Sequence, residues 1–168
     1  MSPLITQFEY VGCQMPCHHK IFVGENLVAK TFFGRVTTTC VLKLLDDIEF
    51  DRDYREGMLE FDDLSGISDL AITPTDIAHI ADLLTGLNLR KRKPTKKAIF
   101  APNGAGRAAA HGFSNMVKGV PGIEVGVFGN FETAMRFLGI DSDKDLCRSL
   151  EAGIAIHKMD GSTKDTLG

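Results

Sequence analysis

The chain has 168 residues, 43% of them hydrophobic and 24% charged, with a formal net charge of -3. This length suits one domain that buries roughly two-thirds of the surface of its unfolded form, and the near-neutral balance excludes a surface built throughout for nucleic acid. Met1 to Val11 carries no basic start followed by an apolar run, and no run of about eighteen apolar residues occurs, so a cytoplasmic protein is expected, neither secreted nor membrane-spanning.

Residues 1–18 read as an irregular arm. Lys20 to Gly24 and Leu27 to Val36 are β-rich runs separated by Glu25-Asn26, a hairpin signal. Thr37, Thr38 and Thr39 offer N-cap hydroxyls to a first helix, in which Val41, Leu42, Leu44, Leu45 and Ile48 recur at helical spacing. A charged linker, Phe50 to Glu56, leads to a short strand, Met58 to Phe61. This strand is expected to stop at Asp62-Asp63, where a buried ladder would take in charge, and Ser65-Gly66 then reads as a loop.

Thr73 caps the clearest helix, with Pro74 and Asp76 in its first turn and Ile77, Ile80, Ala81 and Leu84 along one face. A basic loop, Arg90 to Lys97, precedes an apolar strand, Ala98 to Ala101. Gly104 to Val117 is a helix expected to face inward through Ala109, Phe113, Met116 and Val117. The unit repeats: Ile123 to Phe128 is a strand, Asn130 an N-cap, and Phe131, Ala134, Met135 and Leu138 an apolar face ended by Gly139. Asp141 to Ala152 accommodates a short helix, and Lys158 to Gly168 reads as a frayed polar tail. Alternating strands and helices imply parallel strands joined by right-handed crossovers. The expected organisation is an arm (1–18), one α/β domain (19–140), and a short helix with a tail (141–168).

The order hairpin, helix, strand, helix, strand, helix, strand, helix resembles the STAS-like fold, in particular the SpoIIAA-like family of small bacterial proteins. The segments Ile72-Thr73-Pro74-Thr75-Asp76-Ile77, Ile80-Ala81-Asp82-Leu83, Lys97-Ala98-Ile99-Phe100-Ala101, Ile123-Glu124-Val125-Gly126-Val127-Phe128 and Ala134-Met135-Arg136-Phe137-Leu138 carry the likeness, from about His19 to Ile140. The resemblance implies a mixed, largely parallel sheet with an N-terminal β-hairpin and helices packed against it, no settled enzymatic activity, and a kinship of fold with lipid-binding CRAL-TRIO domains. Anti-sigma-factor antagonists of this fold carry a phosphorylatable Asp-Ser-Ser-Gly after the third strand. Here Ser65-Gly66-Ile67-Ser68-Asp69 and the Thr73 cap stand in its place, which argues against a kinase-driven partner switch.

Gly104-Ala105-Gly106-Arg107-Ala108-Ala109 fits G-x-G-x-x-A between a strand and a helix, where backbone N–H groups can meet a phosphate. A glycine turn that simply admits the helix is the plainer reading, because the motif follows a late strand and no ribose-binding carboxylate ends the next one. Asp62, Asp63, Ser65, Asn103, Gly104, Gly106 and Arg107 are expected to share the rim at the carboxyl ends of the parallel strands, where open α/β sheets bind ligands. Asp62 and Asp63 fit turn-forming acids better than a catalytic pair, since neighbours on a strand point opposite ways. Arg90, Lys91, Arg92, Lys93, Lys96 and Lys97 form a basic patch expected at the opposite rim, near Asp51, Asp53 and Glu56, as a solvated loop or a contact for anionic lipid.

Cys13, Cys17, His18 and His19 form C-x₃-C-H-H, which matches no standard zinc site, so no metal and no cofactor are expected. His79 and His111 lie off the apolar helix faces, and Cys40 and Cys147 read as packing thiols. The expected function is a non-catalytic binding module for a partner protein or a small apolar or anionic ligand. The alternative is an enzyme holding a nucleotide or phosphorylated metabolite at Gly104 to Arg107, with Asp62 or Asp63 as acid/base or metal ligand. Nucleic acid is not expected as a partner; a homodimer paired through exposed hairpin strands is a further candidate.

Overall fold

The chain turns back on itself first at Val23–Asn26, where the Asn26 N–H donates to Val23 O and Asn26 takes a left-handed φ of 54°. The computed structural model describes residues 16–90, 93–141 and 145–152, with backbone alone over 87–90. The readings made for 1–15, for Lys91 and Arg92, and for the tail from 153 onward lie outside the described residues. The turn joins strand β1 (Cys17–Phe22) to β2 (Leu27–Thr37) as an antiparallel hairpin closed by the pair Phe22↔Leu27. The strand starts three residues before the expected Lys20, because Cys17 is buried and the Phe33 N–H donates to Pro16 O just ahead of it.

Helix α1 (Thr38–Glu49) is capped by Thr37, whose hydroxyl accepts from the Cys40 N–H. It leads to β3 (Leu59–Ala71), which pairs in parallel with β2 as far as Thr37↔Ala71. The expected end at Asp62-Asp63 is therefore wrong, as is the turn-forming role given to those acids: the strand runs through both and through Ser65-Gly66. Lysines on the two neighbouring strands meet Asp62, and Asp63 accepts from the Ser65 N–H at 2.9 Å, so the charge that would have ended the ladder is compensated within it. Gly66 permits the close pass of the two strands; a Cβ there would lie 2.9 Å from Phe33 Cβ and 3.1 Å from Phe32 O.

Thr73 and Asp76 form a reciprocal cap at the start of α2 (Pro74–Arg90), the Thr73 N–H donating to Asp76 Oδ2 and the Asp76 N–H to Thr73 Oγ1. Strand β4 (Thr95–Phe100), α3 (Gly104–Val117), β5 (Ile123–Phe128) and α4 (Phe131–Leu138) complete the alternation, and Gly139 closes α4 at a φ of 74°. The strand order is β1-β2-β3-β4-β5, with β2 to β5 parallel. The chain thus adopts an α/β fold with a mixed five-stranded sheet, an N-terminal hairpin and helices packed on the sheet.

Adding each parallel strand on the same side through right-handed crossovers leaves the three connecting helices on one face. Alternation then divides the core. On one face Leu27, Ala29, Phe61, Ala98 and Phe100 meet α4 and a helical segment at 145–152, whose Leu146 and Cys147 are buried with them. On the other, Val28, Phe32 and Val36 meet Leu44 and Ile48 of α1, while Ile99 and Ala101 meet Ala110 and Phe113 of α3. Met116, expected to face inward, is 45% exposed, whereas Ala110, six residues closer to the cap, is buried. Among the described residues no helix is long and apolar enough to cross a membrane.

Candidate functional site

Three adjacent strands each place charge on the face beneath α1, α2 and α3. Lys30 of β2 stands opposite Asp62 of β3, and Glu60 of β3 opposite Lys97 of β4. Glu60 and Asp62, two residues apart, share this face, so two lysines and two carboxylates form one balanced quartet. Lys97 Nζ lies 2.5 Å from Glu60 Oε2 and 3.1 Å from Asp62 Oδ2, and Lys30 Nζ bonds the same Glu60 oxygen. The four side chains are only 4% to 14% exposed. Lys30 Nζ also lies 3.1 Å from Asp62 Oδ1, so its ammonium bridges the two carboxylates.

Burial is the largest single influence on Glu60 and pushes its carboxyl up, yet Lys30 and Lys97 together outweigh it and hold the group well below the ordinary value of 4.5. Burial likewise favours a neutral Lys97, but Asp62 and Glu60 prevail and hold its ammonium above the ordinary 10.5. Stability from Glu60 is therefore present above pH 4.5 and lost as pH falls below it; stability from Lys97 is present below pH 10.5 and lost as pH rises beyond it. We expect urea midpoints to decline on both the acid and the alkaline limb. Both declines should be shallower in the variant Lys30→Met, Glu60→Gln, Asp62→Asn, Lys97→Met; identical limbs in the two proteins would contradict this assignment.

Above the quartet lies a cavity of about 120 Å³. Helix α2 packs along α3 and keeps its backbone largely off the sheet, so Ile77, Ile80 and Leu84 roof a space floored by Lys30, Asp62 and Ile99. Leu44 of α1 and Phe113 of α3 close its sides, and the walls are almost wholly apolar. A second hollow of about 260 Å³ shares Lys30, Leu45 and Leu84 with the first, and Glu49, Tyr54, Glu56 and Glu60 line it. Lys97, held as an ammonium by Asp62 and Glu60, is poorly suited to act as a nucleophile or general base.

Of the residues expected at the strand rim, Asp62 enters the cavity floor, while Asp63 is buried on the opposite face. Ser65 is buried with its Oγ unpartnered, and Asn103 Nδ2 donates to Ser65 O at 3.4 Å. Gly106 packs against β3: a Cβ there would lie 2.9 Å from Leu64 Cβ, so glycine is what lets α3 settle on the strand. Gly104 faces open space, and the Arg107 guanidinium lies beside Gly129. Neither cavity is lined by Ser65, Asn103, Gly104, Gly106 or Arg107.

The basic run does not stay together as a solvated patch. Lys97 is buried in the quartet, and Lys96 leaves on the other face, donating to Phe137 O at 3.1 Å with its ammonium 4.7 Å from the Phe137 ring centre. Lys93 is exposed and lies against Gly57, which places this rim beside the acidic linker as expected; the Arg90 side chain, Lys91 and Arg92 are outside the described residues. The cysteine–histidine cluster also disperses. Cys17 is buried, His18 stacks on Phe33, and His19 Nε2 lies 3.0 Å from Asp51 Oδ2; Cys13 is outside the described residues. Burial, helped by the neighbouring Cys40 thiol, pushes Cys17 up to about 12, which suppresses thiolate chemistry there. His79 and His111 are exposed.

Lys30 and Glu60 were not among the expected site residues. Their signal was a single charge inside each of two apolar runs, Leu27-Val28-Ala29-Lys30 and Leu59-Glu60-Phe61, readable only once the pairing of the strands is known. The architecture defines the class: an α/β protein with a mixed five-stranded sheet, three helices over one face and a cavity beneath them. Compared with protein-family models, curated proteins and solved structures, the chain matches none.

Proposed function

We propose that this chain is a STAS-like, SpoIIAA-like binding module that holds a small apolar ligand beneath α1, α2 and α3 without transforming it. The supporting observation is the apolar cavity with a charge-balanced polar floor, since a small-molecule site typically combines apolar walls with a few fixed polar groups. The element order on which the family resemblance rests, a hairpin followed by alternating helices and strands, accords with this reading. The nucleotide alternative has less support: Gly106 has a packing duty against Leu64, and the α3 N-terminus opens onto neither cavity. Contact with anionic lipid through the basic run is also less favoured, because Lys96 and Lys97 are already engaged.

A thermal-shift screen with benzene-sized apolar compounds, fatty acids and nucleotides tests the reading. A ligand at a hundred times its dissociation constant adds about 2.7 kcal/mol, which raises the Tm of a domain of this size by about 5–10 °C. The expected result is stabilisation by the apolar compounds, lost in Ala109→Leu, which fills the cavity while circular dichroism reports a folded chain. Stabilisation by nucleotide alone, abolished by Gly106→Asp, would move the site to α3 and favour an enzyme; no response to any compound would leave a partner protein as the target.

A further inference from the structure

We infer that the outer edge of β5 is a docking surface for a second copy of this chain, the two β5 strands pairing antiparallel about a two-fold axis at Val125 so that the two sheets become one. The inference stands apart from the cavity and its ligand.

Among the described residues the sheet has two open edges, because β1 pairs only with β2 and β5 only with β4. An open edge presents unpaired N–H and C=O groups that template another strand, and proteins that stay apart place charge there. β1 is guarded in this way, with His18 and Lys20 exposed along it, so the hairpin edge expected to join copies is the poorer candidate. β5 carries no such guard. Ile123, Val125, Gly126, Val127 and Phe128 are half-buried and uncharged, and Glu124, its one charged residue, lies 3.5 Å from Lys96 Nζ.

The hydrogen bonds to β4 fix which groups face outward. The Thr95 N–H donates to Gly122 O and the Ala101 N–H to Phe128 O, each at 2.8 Å, so even-numbered residues of β5 address β4, and Ile123, Val125 and Val127 turn their backbone groups away from it. The Ile123 N–H is taken by Val120 O at 3.3 Å, which leaves the N–H groups of Val125 and Val127 as the donors of the edge. With the axis at Val125, its N–H donates to Val125 O of the second copy, and the Val127 N–H donates to Ile123 O of that copy. Both donors are then met. On the face of α3 this register sets Val125 against its own equivalent and Ile123 against Val127, β-branched pairs suited to a sheet. On the face of α4 it sets Glu124 against Gly126, so the two carboxylates do not oppose one another. This match of the strand to itself selects a second copy over an unrelated strand.

The helices leave room for it. α3 spans β3 to β5, and α4 packs on β4 and β5, so both are centred inboard of the edge. With strands about 4.8 Å apart, the axis brings the two α4 helices to about 10 Å, a packing distance, and covers the half-buried Phe137 beside Phe128.

Sedimentation velocity and amide hydrogen exchange on the full chain test the inference. The expected result is a monomer–dimer equilibrium between about 1 µM and 1 mM, in which the Val125 and Val127 amides exchange at least about tenfold more slowly at the top of the range. Val125→Pro removes a donor that no bond inside the sheet uses, on an edge strand where proline is tolerated. It should weaken the dimer at least about tenfold while circular dichroism stays that of the parent. Lys20→Glu on the other edge should leave the dimer constant within about twofold. A monomer throughout the range, a dimer in which those two amides exchange freely, an undiminished dimer in Val125→Pro, or an equal loss in Lys20→Glu would overturn the inference. Slow exchange of both amides in a monomer would mean that a segment of the same chain covers the edge, and would overturn it as well. Should Val125→Pro not fold, the exchange rates of the unaltered protein decide.

Discussion

Lys97→Met is expected to lower the unfolding free energy by about 3–5 kcal/mol, the usual cost of removing one partner from a buried ion pair. The substitution keeps the length of the side chain and much of its packing under Phe113, so the loss reports the charge. Without the ammonium, Glu60 and Asp62 share only Lys30, and a net negative charge remains beneath the helices. Solvent-exposed pairs set the contrast. Lys43 and Asp47, one helical turn apart and each about half exposed, contribute no more than about 0.5 kcal/mol. Urea denaturation at neutral pH measures the difference, read as a lower midpoint at unchanged slope. A loss below about 1 kcal/mol would mean that the quartet is hydrated and behaves as a surface network.

The quartet also explains which parts of the molecule were legible in the residues. Helix starts were plain where a side chain caps its own helix: Thr37, Thr73 and Asn130 each accept from an N–H three residues on, and these signals are local. Strand β5 and helix α3 have the bounds that pattern and glycine placement imply. Strand β3 does not, because its continuation past Asp62 depends on Lys30 and Lys97, distant in sequence and adjacent only in the sheet. A carboxylate in an apolar run signals a strand end when read alone and a buried pair when its neighbours are known. The basic run was misread for the same reason: Lys96 and Lys97 are consecutive, but on a strand they leave on opposite faces, one to the quartet and one to Phe137. Of the candidate site, Asp62 and Lys97 stood out in the residues, each in another role, and Lys30 and Glu60 were hidden by non-local pairing.

Phe61→Ala should cost a similar amount, about 3–5 kcal/mol, through a different cause and with a different consequence for binding. The ring is 1% exposed on the face covered by α4, meeting Phe131 edge-on at 5.6 Å and lying nearly parallel to Phe100 at 6.4 Å. Truncation opens a void among three rings and removes two aromatic contacts, each worth about 0.5–1.5 kcal/mol. Phe61 and Asp62 are consecutive, but the strand sends the first away from the cavity and the second into it. The affinity of folded Phe61→Ala for benzene should therefore stay within about twofold of the parent, while its thermal midpoint falls sharply. Ala109→Leu, which fills the cavity, should invert the pattern, with its main effect on that affinity. If Phe61→Ala weakened binding as much as Ala109→Leu, the sheet would not separate the two faces, and the cavity beneath α1, α2 and α3 would be coupled to the α4 core through the backbone of β3.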